Sequence, residues 1–356
     1  MQLSAKRAQA VSPARVDALL ALLERFPLPL IAVSGGPDST ALLIMAAEWA
    51  TRRERPIAAA TVDHGLRPAS AAEAETVAAF CQDFGVPHKT LVWTGPKPKT
   101  RIQERAREAR YRLLAAHART IGADAVVTAH HADDQAETVL FRLLHGSGIA
   151  GLAGMEALSL REGIAIVRPL LDVPKADLVA FCKAKGAAFV DDPSNADPRF
   201  ARAALRPLLA TLAAHGLDRD ALLRLARRAR EADEALARAA AELEAKLGDG
   251  PIDARALFAA PIAVVQRTLA RRLAEAGGRE MSRIGLEKIE VLALALAAAA
   301  AAGRAFRANV GGAIARLSAK GALDFAPEPS RRGKAASLEV GKRDSYERKH
   351  RSGKRS

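Results

Sequence analysis

Residues 30–39 read Leu30-Ile31-Ala32-Val33-Ser34-Gly35-Gly36-Pro37-Asp38-Ser39, and the stretch 40–49 that follows is helix-compatible. An apolar run that stops at paired glycines and restarts at once predicts a strand, a tight loop and a helix in succession. The first N–H groups of such a helix have no partner inside it and point the same way, so a polyphosphate can accept their hydrogen bonds. Gly35 and Gly36 allow dihedrals and a close approach that a side chain forbids. Pro37 suits the first helical turn because it has no N–H to leave unpaired. Ser34 and Ser39 add hydroxyl donors, and Asp38 adds a carboxylate able to hold magnesium. No lysine follows the glycines, so this is not the Gly-x-x-x-x-Gly-Lys-Ser/Thr loop, nor is it the three-glycine dinucleotide fingerprint. The plain alternative is a glycine turn capped by serines, but the strand before it and the helix after it favour anion binding.

Outward from this loop, apolar runs at 30–33, 57–62, 88–92, 125–129 and 164–167 read as strands, with helical patterns between them. Ser70 and Glu73 have capping-box spacing ahead of a helix running to about Phe84, and Gly122 ends a helix that begins near Ile102. Strands separated regularly by helices predict an α/β fold with a doubly wound parallel sheet, which binds ligands at the carboxyl ends of its strands. Ser34, Asp63 and His130 gather on that edge. Beyond residue 200 the composition shifts to Ala, Leu, Arg and Glu. Helices are expected over 221–247, 261–276 and 284–302, with a small glycine-turned hairpin over 305–325 around Gly311 and Gly312. The expected organisation is an N-terminal helix (1–27), a nucleotide-binding domain (28–210), a mainly helical C-terminal domain (211–326) and a basic disordered tail (327–356).

Composition bounds the class. The chain of 356 residues is 49% hydrophobic and 26% charged, enough for two globular domains. Its longest apolar run, 291–302, is too short for a bilayer that needs about 20 residues, so no membrane span is expected. The basic, acid-free start lacks a signal-type apolar core and runs into an amphipathic stretch at 16–26. Cys81 and Cys182 form no Cys-x-x-Cys pair, which excludes a disulfide framework or zinc site and fits a reducing cytoplasm. The net charge is +14, and residues 331–356 carry ten Lys/Arg against three Asp/Glu, so half of it sits in the tail. A basic body favours polyanions such as RNA, whereas a solvated basic tail raises non-specific affinity.

Three further constellations carry chemistry. His130-His131-Ala132-Asp133-Asp134-Gln135-Ala136-Glu137-Thr138 follows the fourth strand and opens a helix to about Leu144 that Asp133 can cap. Asp134 and Glu137 are three apart, so both carboxylates leave one helical face, where they can hold a cationic amine or a metal. Acidic residues at a helix start also have an ordinary dipole explanation, which the location at the strand edge outweighs. His130 and His131 alternate faces, so one reaches the nucleotide while the other packs. Asp63-His64-Gly65-Leu66-Arg67 follows the second strand as a turn that can approach an adenosine or simply reverse the chain. Within 101–112 lie five arginines, of which Arg107 and Arg110 share a face beside Tyr111; an arginine there can neutralise transition-state phosphate charge. Arg202 and Arg206, after the aspartate-rich turn 191–195, suit phosphate bidentately or pair with the nearby aspartates. Glycines at 146, 148, 151 and 154 read as a mobile loop with the character of a lid.

The 34–39 loop resembles that of the N-type ATP pyrophosphatases, which split ATP into AMP and pyrophosphate. Together with 63–67, 107–111, 131–138, 145–148, Arg168-Pro169-Leu170-Leu171 and 191–195, it resembles the tRNA(Ile)-lysidine synthases over about residues 28–210. From 217 to 325 the resemblance is architectural. It implies a cytoplasmic ligase that uses ATP and Mg2+ to adenylate the C2 oxygen of the wobble cytidine in tRNA(Ile) with anticodon CAU, after which free L-lysine displaces AMP; a homodimer is left open. Ser34, Gly35, Gly36, Pro37, Asp38 and Ser39 are then expected at ATP, with Asp38 at the metal. Asp134 and Glu137 are expected at lysine, His130 and Arg110 at the adenylate and its charge, and Arg202 and Arg206 at the anticodon stem. The family typically places asparagine after the arginine of the hinge, where this chain has Ala203. The competing readings are a tRNA thiolase of the same superfamily, for which the two cysteines are badly placed, and a non-catalytic RNA-binding protein, which does not need Asp38, Asp134 and Glu137.

Overall fold

The structure, a computed structural model, describes residues 11–66, 70–95, 97–98, 100–189 and 201–329. Its first compact unit opens with α1 (Pro13–Leu20), whose Ser12 cap accepts from Arg15 N, and a 3-10 turn (Ala21–Arg25). There follow β1 (Pro29–Ala32), α2 (Pro37–Arg53), β2 (Ala58–Asp63), α3 (Ser70–Asp83), β3 (His88–Val92), α4 (Ile102–Thr120) and β4 (Ala125–Val127). The chain continues through α5 (Ala132–Leu144), α6 (Ile149–Leu152), β5 (Leu158–Arg161), β6 (Ile164–Val167), α7 (Lys175–Ala184), α8 (Ala201–Ala214) and α9 (Arg219–Leu247). The strands form one sheet in the order β3-β2-β1-β4-β6-β5, parallel except for β5, which runs against β6.

Alternation along β1 explains the two layers. Ile31 and Val33 pack with the α2 residues Leu42, Ile44 and Trp49 on one face, while Leu30 and Ala32 pack with Tyr111 and Leu114 of α4 on the other. Successive side chains of a strand leave opposite faces, so a run apolar at every position must be covered twice. α2 is buried all round, with Leu42, Leu43, Ile44, Met45 and Trp49 at 0% exposure, because α1 and α7 cover its outer side. The strand order reverses between β1 and β4. That reversal opens a crevice at their carboxyl ends, fed by Ser34 from β1 and His130 from β4.

Several elements went unread in the sequence. β5 is a short edge strand with Leu160 at 77% exposure, turned into β6 through Glu162 and Gly163, both at positive φ. The segment 146–154, expected as a mobile loop, instead contains α6 and is pinned by Arg142, whose Nη1 donates to Gly151 O and Gly154 O at 2.7 Å. Contacts divide the chain between Asp233 and Glu234, later than the boundary expected from composition. The reason is local: Leu222 and Ala226 of α9, with Leu209 and Leu212 of α8, share a core with Val139 and Leu140 of α5.

The second unit takes up the later part of α9 and adds β7 (Ile252–Asp253), α10 (Ala254–Phe258), α11 (Ile262–Gly277), α12 (Leu286–Ala301), β8 (Phe306–Val310), β9 (Ala313–Leu317) and β10 (Ala322–Pro327). The expected hairpin is part of a four-stranded antiparallel sheet, β7-β10-β9-β8. Gly311 and Gly312 sit at φ 66° and 83°, as a two-residue hairpin loop requires. α11 ends against that loop, where a Cβ on Gly277 would stand 2.5 Å from Gly311 O. Gly277→Ala is therefore expected to destabilise this unit by about 1–3 kcal/mol, the range for overpacking a close contact. A denaturant melt of the variant against the wild type measures it.

Candidate active site

The glycine loop is closed by its own serines. Ser34 N donates to Ser39 Oγ at 3.1 Å, the two hydroxyls are 3.1 Å apart, and Ser39 Oγ donates to Gly36 O at 3.1 Å. Gly35 adopts φ 84°, and Gly36 caps α2 with no side-chain hydrogen bond, leaving the first turn open to an external acceptor. Pro37 takes the first helical position as expected, and its carbonyl accepts from Cys182 Sγ at 3.3 Å. Asp38 follows, with Oδ1 buried and unpartnered among the described residues. Its Oδ2 lies 3.5 Å from His131 Nε2 and 3.9 Å from Lys175 Nζ.

His131, not Asp133, caps α5. Its Nδ1 accepts from Asp134 N at 3.2 Å while Asp134 Oδ2 accepts from His131 N at 3.1 Å, a reciprocal capping box. Nε2 then faces the carboxylates of Asp38 and Asp134, 3.5 Å from each. Burial opposes a charge on this imidazole, but Asp38, Asp134 and Asp133 outweigh it and hold the pKa above the ordinary value. A proton on Nδ1 would break the cap, so the cap favours the neutral ring while the carboxylates favour the charged one. Asp133 serves elsewhere: its Oδ2 accepts from Lys175 N at 2.8 Å and its Oδ1 lies 3.8 Å from Arg219 Nη1. It thereby starts α7 beside the loop and aims Lys175 at Asp38.

The other expected residues fall in three places. Asp134 is partly exposed, and Glu137 is 5% exposed with Oε1 accepting from Arg206 Nε at 2.8 Å. Arg206 therefore pairs with a carboxylate of the site itself. His130 bonds Thr128 Oγ1 through Nδ1 at 2.9 Å, within the fourth strand's own continuation. Arg110 lies on α4 beside Tyr111 and Arg107, its pKa lowered mainly by burial, and no carboxylate pairs with it among the described residues. Burial, with Arg110 and Lys97 adding to it, pushes the His64 imidazole down to about 4. Arg202 begins α8, but its side chain lies outside the described residues, as do Arg67, the turn 191–195 and the tail 331–356.

Sequence reasoning missed Lys175, His131 and Asp133 as parts of the site. The only signal for Lys175 was its place after Pro174 at a helix start, which says nothing about which loop it faces. The thiols have no reactive character: burial pushes Cys81 up to about 12 and Cys182 up to about 11, with Asp38 adding to the latter. Among the described residues no three His, Cys, Asp or Glu side chains group as a metal site. Asp38, with its Oδ1 buried and unpartnered among the described residues, is the carboxylate that would hold a cation.

The PP-loop domain family matches residues 14–212. A tRNA(Ile)-lysidine synthase of Methylobacterium nodulans is 52% identical over 85% of this chain and 91% of its own length. One from Rhodopseudomonas palustris is 46% identical over 92% of this chain and 98% of its own. Among solved structures, a U34-tRNA thiolase from Methanococcus maripaludis, with its [4Fe-4S] cluster, is similar at TM-score 0.51 and 16% identity, covering 61% of this chain and 76% of that one. That likeness extends to the fold alone. With the PP-loop model over residues 14–212 and relatives 46% and 52% identical over most of both chains, the chain belongs to the tRNA(Ile)-lysidine synthase family of PP-loop proteins.

Proposed function

We propose that this chain forms lysidine: it adenylates the wobble cytidine of tRNA(Ile) with anticodon CAU and then lets free lysine displace the AMP. The observation that carries the chemistry is the meeting of the phosphate loop and the carboxylate-bearing helix at one strand edge, Asp38 Oδ2 lying 3.5 Å from the histidine that caps α5.

In the first step the C2 oxygen attacks the α-phosphorus of ATP and pyrophosphate leaves. The open first turn of α2 and the hydroxyls of Ser34 and Ser39 bind the departing phosphates, and Lys175 with Arg110 neutralises the charge that builds on them. His130 orients the adenylate from the end of β4. Asp38 would hold magnesium, which would supply further charge neutralisation. In the second step Asp134 and Glu137 hold the lysine ammonium and accept its proton. The neutral amine then attacks C2, and the C2–O bond breaks so that AMP leaves carrying that oxygen. Arg206 pairs with Glu137 in the resting chain, and Arg202 and Arg206 steer the anticodon stem. Residues 211–326 are assigned to the rest of the tRNA and the tail to non-specific attraction; a cytoplasmic location fits both substrates. Sulfur transfer is disfavoured because both cysteines are buried with raised pKa values.

Incubation with ATP, labelled lysine and total tRNA, followed by digestion to nucleosides, is expected to yield labelled lysidine; pyrophosphate release that needs a sulfur donor, with no lysine label in the tRNA, would overturn the reading. Asp38→Ala and Lys175→Ala are each expected to lower kcat by about 100-fold or more, the scale for removing one electrostatic contact to a developing charge. Single-turnover pyrophosphate release measures this. Glu137→Gln keeps an acceptor for Arg206 but removes the charge, and should raise KM for lysine about 30-fold, taking ~2 kcal/mol for a charged hydrogen bond. The His64 ring, depressed to about 4, should stay neutral above that value, contributing stability that is fully present above the ordinary histidine range and lost as pH falls toward 4. NMR titration of the imidazole checks it: an inflection in the ordinary histidine range contradicts the buried, Arg110-facing placement.

A further inference from the structure

A cavity of about 610 Å³ lies within the first unit, walled by α1, α5, the segment after β6 and the first half of α9. Its floor is apolar, with Leu19, Leu22, Leu171 and Leu223. Its charge is one-sided: Arg168, Arg224, Arg227 and Arg230 face a single carboxylate, Asp172. Arg168 is 8% exposed and donates from Nη1 to Glu156 O and Ser159 Oγ, yet its Nε is buried without a partner. Arg230 is in the same state, donating from Nη2 to Ala153 O and Met155 O with a buried, unpartnered Nε. Arg224 forms no hydrogen bond or ion pair among the described residues, and Arg227 has only an exposed contact to Glu231 at 3.9 Å.

A guest must therefore be anionic and must also present an apolar face. Lysine is repelled by the net positive charge, and the phosphates of ATP have their own place at the loop. A nucleotide of single-stranded RNA meets both conditions, because its base covers apolar surface while guanidinium groups take its phosphate. The volume is in the range of small-ligand sites, about 300–1,000 Å³. The position fits as well. Gln135, on the cavity wall, is the residue after Asp134, and Arg168 is the first residue beyond β6, which pairs with the strand leading to His130.

We propose that this cavity receives a nucleotide flanking the reacting cytidine, its base against the leucine floor and its phosphate on the arginines. The inference rests on the proposed function for the identity of the RNA. It explains how an unstacked cytidine can be held in place: one splayed neighbour anchors the next.

The test uses the full chain and an anticodon stem-loop RNA. Ala18→Trp and Ala157→Trp, both at exposed wall positions, narrow the cavity without changing charge or touching the loop. Each is expected to raise KM for the RNA about tenfold, on the scale of one base stack, with KM for ATP and lysine unchanged and the thermal melt preserved. A stem-loop lacking the base on one side of the cytidine should lose the same factor with wild-type protein and nothing more with the tryptophan variants. Unchanged KM in both variants, or losses that multiply, overturns the cavity assignment. So does a result in which Arg224→Ala and Arg227→Ala lower the salt dependence of binding while the tryptophan variants behave as wild type, since the arginines then only attract backbone. Fluorescence anisotropy of the same stem-loops separates the two readings: base-dependent binding that the tryptophan variants abolish, without lysidine formation, sinks the proposed function and leaves the cavity standing.

Discussion

A carboxylate on the second residue of one helix and an imidazole capping another hold the site together. Asp38 belongs to the loop after β1, His131 to the start of α5 after β4, and their atoms approach to 3.5 Å. The contact exists because β1 and β4 are neighbours in the sheet although far apart in the chain. Everything that reaches the crevice hangs on that adjacency. The strand pairing sets the distance between the two helix starts, and the capping box fixes the ring so that Nε2 points across the gap. The carboxylates of α5 follow at fixed helical spacing. A shift of one residue in the β1–β4 register would turn Leu30 and Ile31 to the wrong layers and move the loop away from the cap together.

Around that contact the charged groups arrive from separate elements. Lys175 reaches Asp38 from the start of α7, while Asp134 and Glu137 stand along α5. Asp133 maintains the division by starting α7 at Lys175 N, so a carboxylate not in the proposed chemistry determines where a cation stands. The lysine that other phosphate loops carry next to their glycines arrives here from a different helix. The reason is steric as much as electrostatic: α2 is buried on every side from Ala41 to Ala47, so a lysine in its first buried turns would have no water to reach.

The strands with every position apolar, the loop and the paired carboxylates were legible because each is written in a local pattern. The unbroken apolar run of β1 and the Ser-Gly-Gly-Pro-Asp-Ser run need no partner to be read. The three-residue spacing of Asp134 and Glu137 is equally local. What stayed hidden depends on residues remote in sequence. Both histidines at 130 and 131 look alike in a one-dimensional string; only the position of Asp38 decides which one closes the site. Lys175 was invisible for the same reason, and Asp133 was misread as a cap for its own helix because the competing acceptor, His131, is a rarer capping residue. β5 escaped because four residues at an exposed edge carry too little burial to pattern, and the boundary at Asp233 escaped because composition changes where α8 begins but packing on α5 continues into α9.

Under the proposed function the two half-reactions make opposite electrostatic demands, and the geometry answers why one crevice can serve both. Departing pyrophosphate needs positive surroundings; an incoming ammonium that must become an amine needs negative ones. If both sets of groups faced the same point they would neutralise each other, and neither the phosphates nor the amine would be bound. The capping box prevents that collapse by committing Asp134 to a backbone N–H and turning the His131 ring edge between it and Asp38. Arg206, half-exposed on the Glu137 carboxylate, balances the remaining buried charge while no amine is present. The same ion pair holds the Glu137 side chain in place on α5, where an incoming ammonium can exchange with the guanidinium.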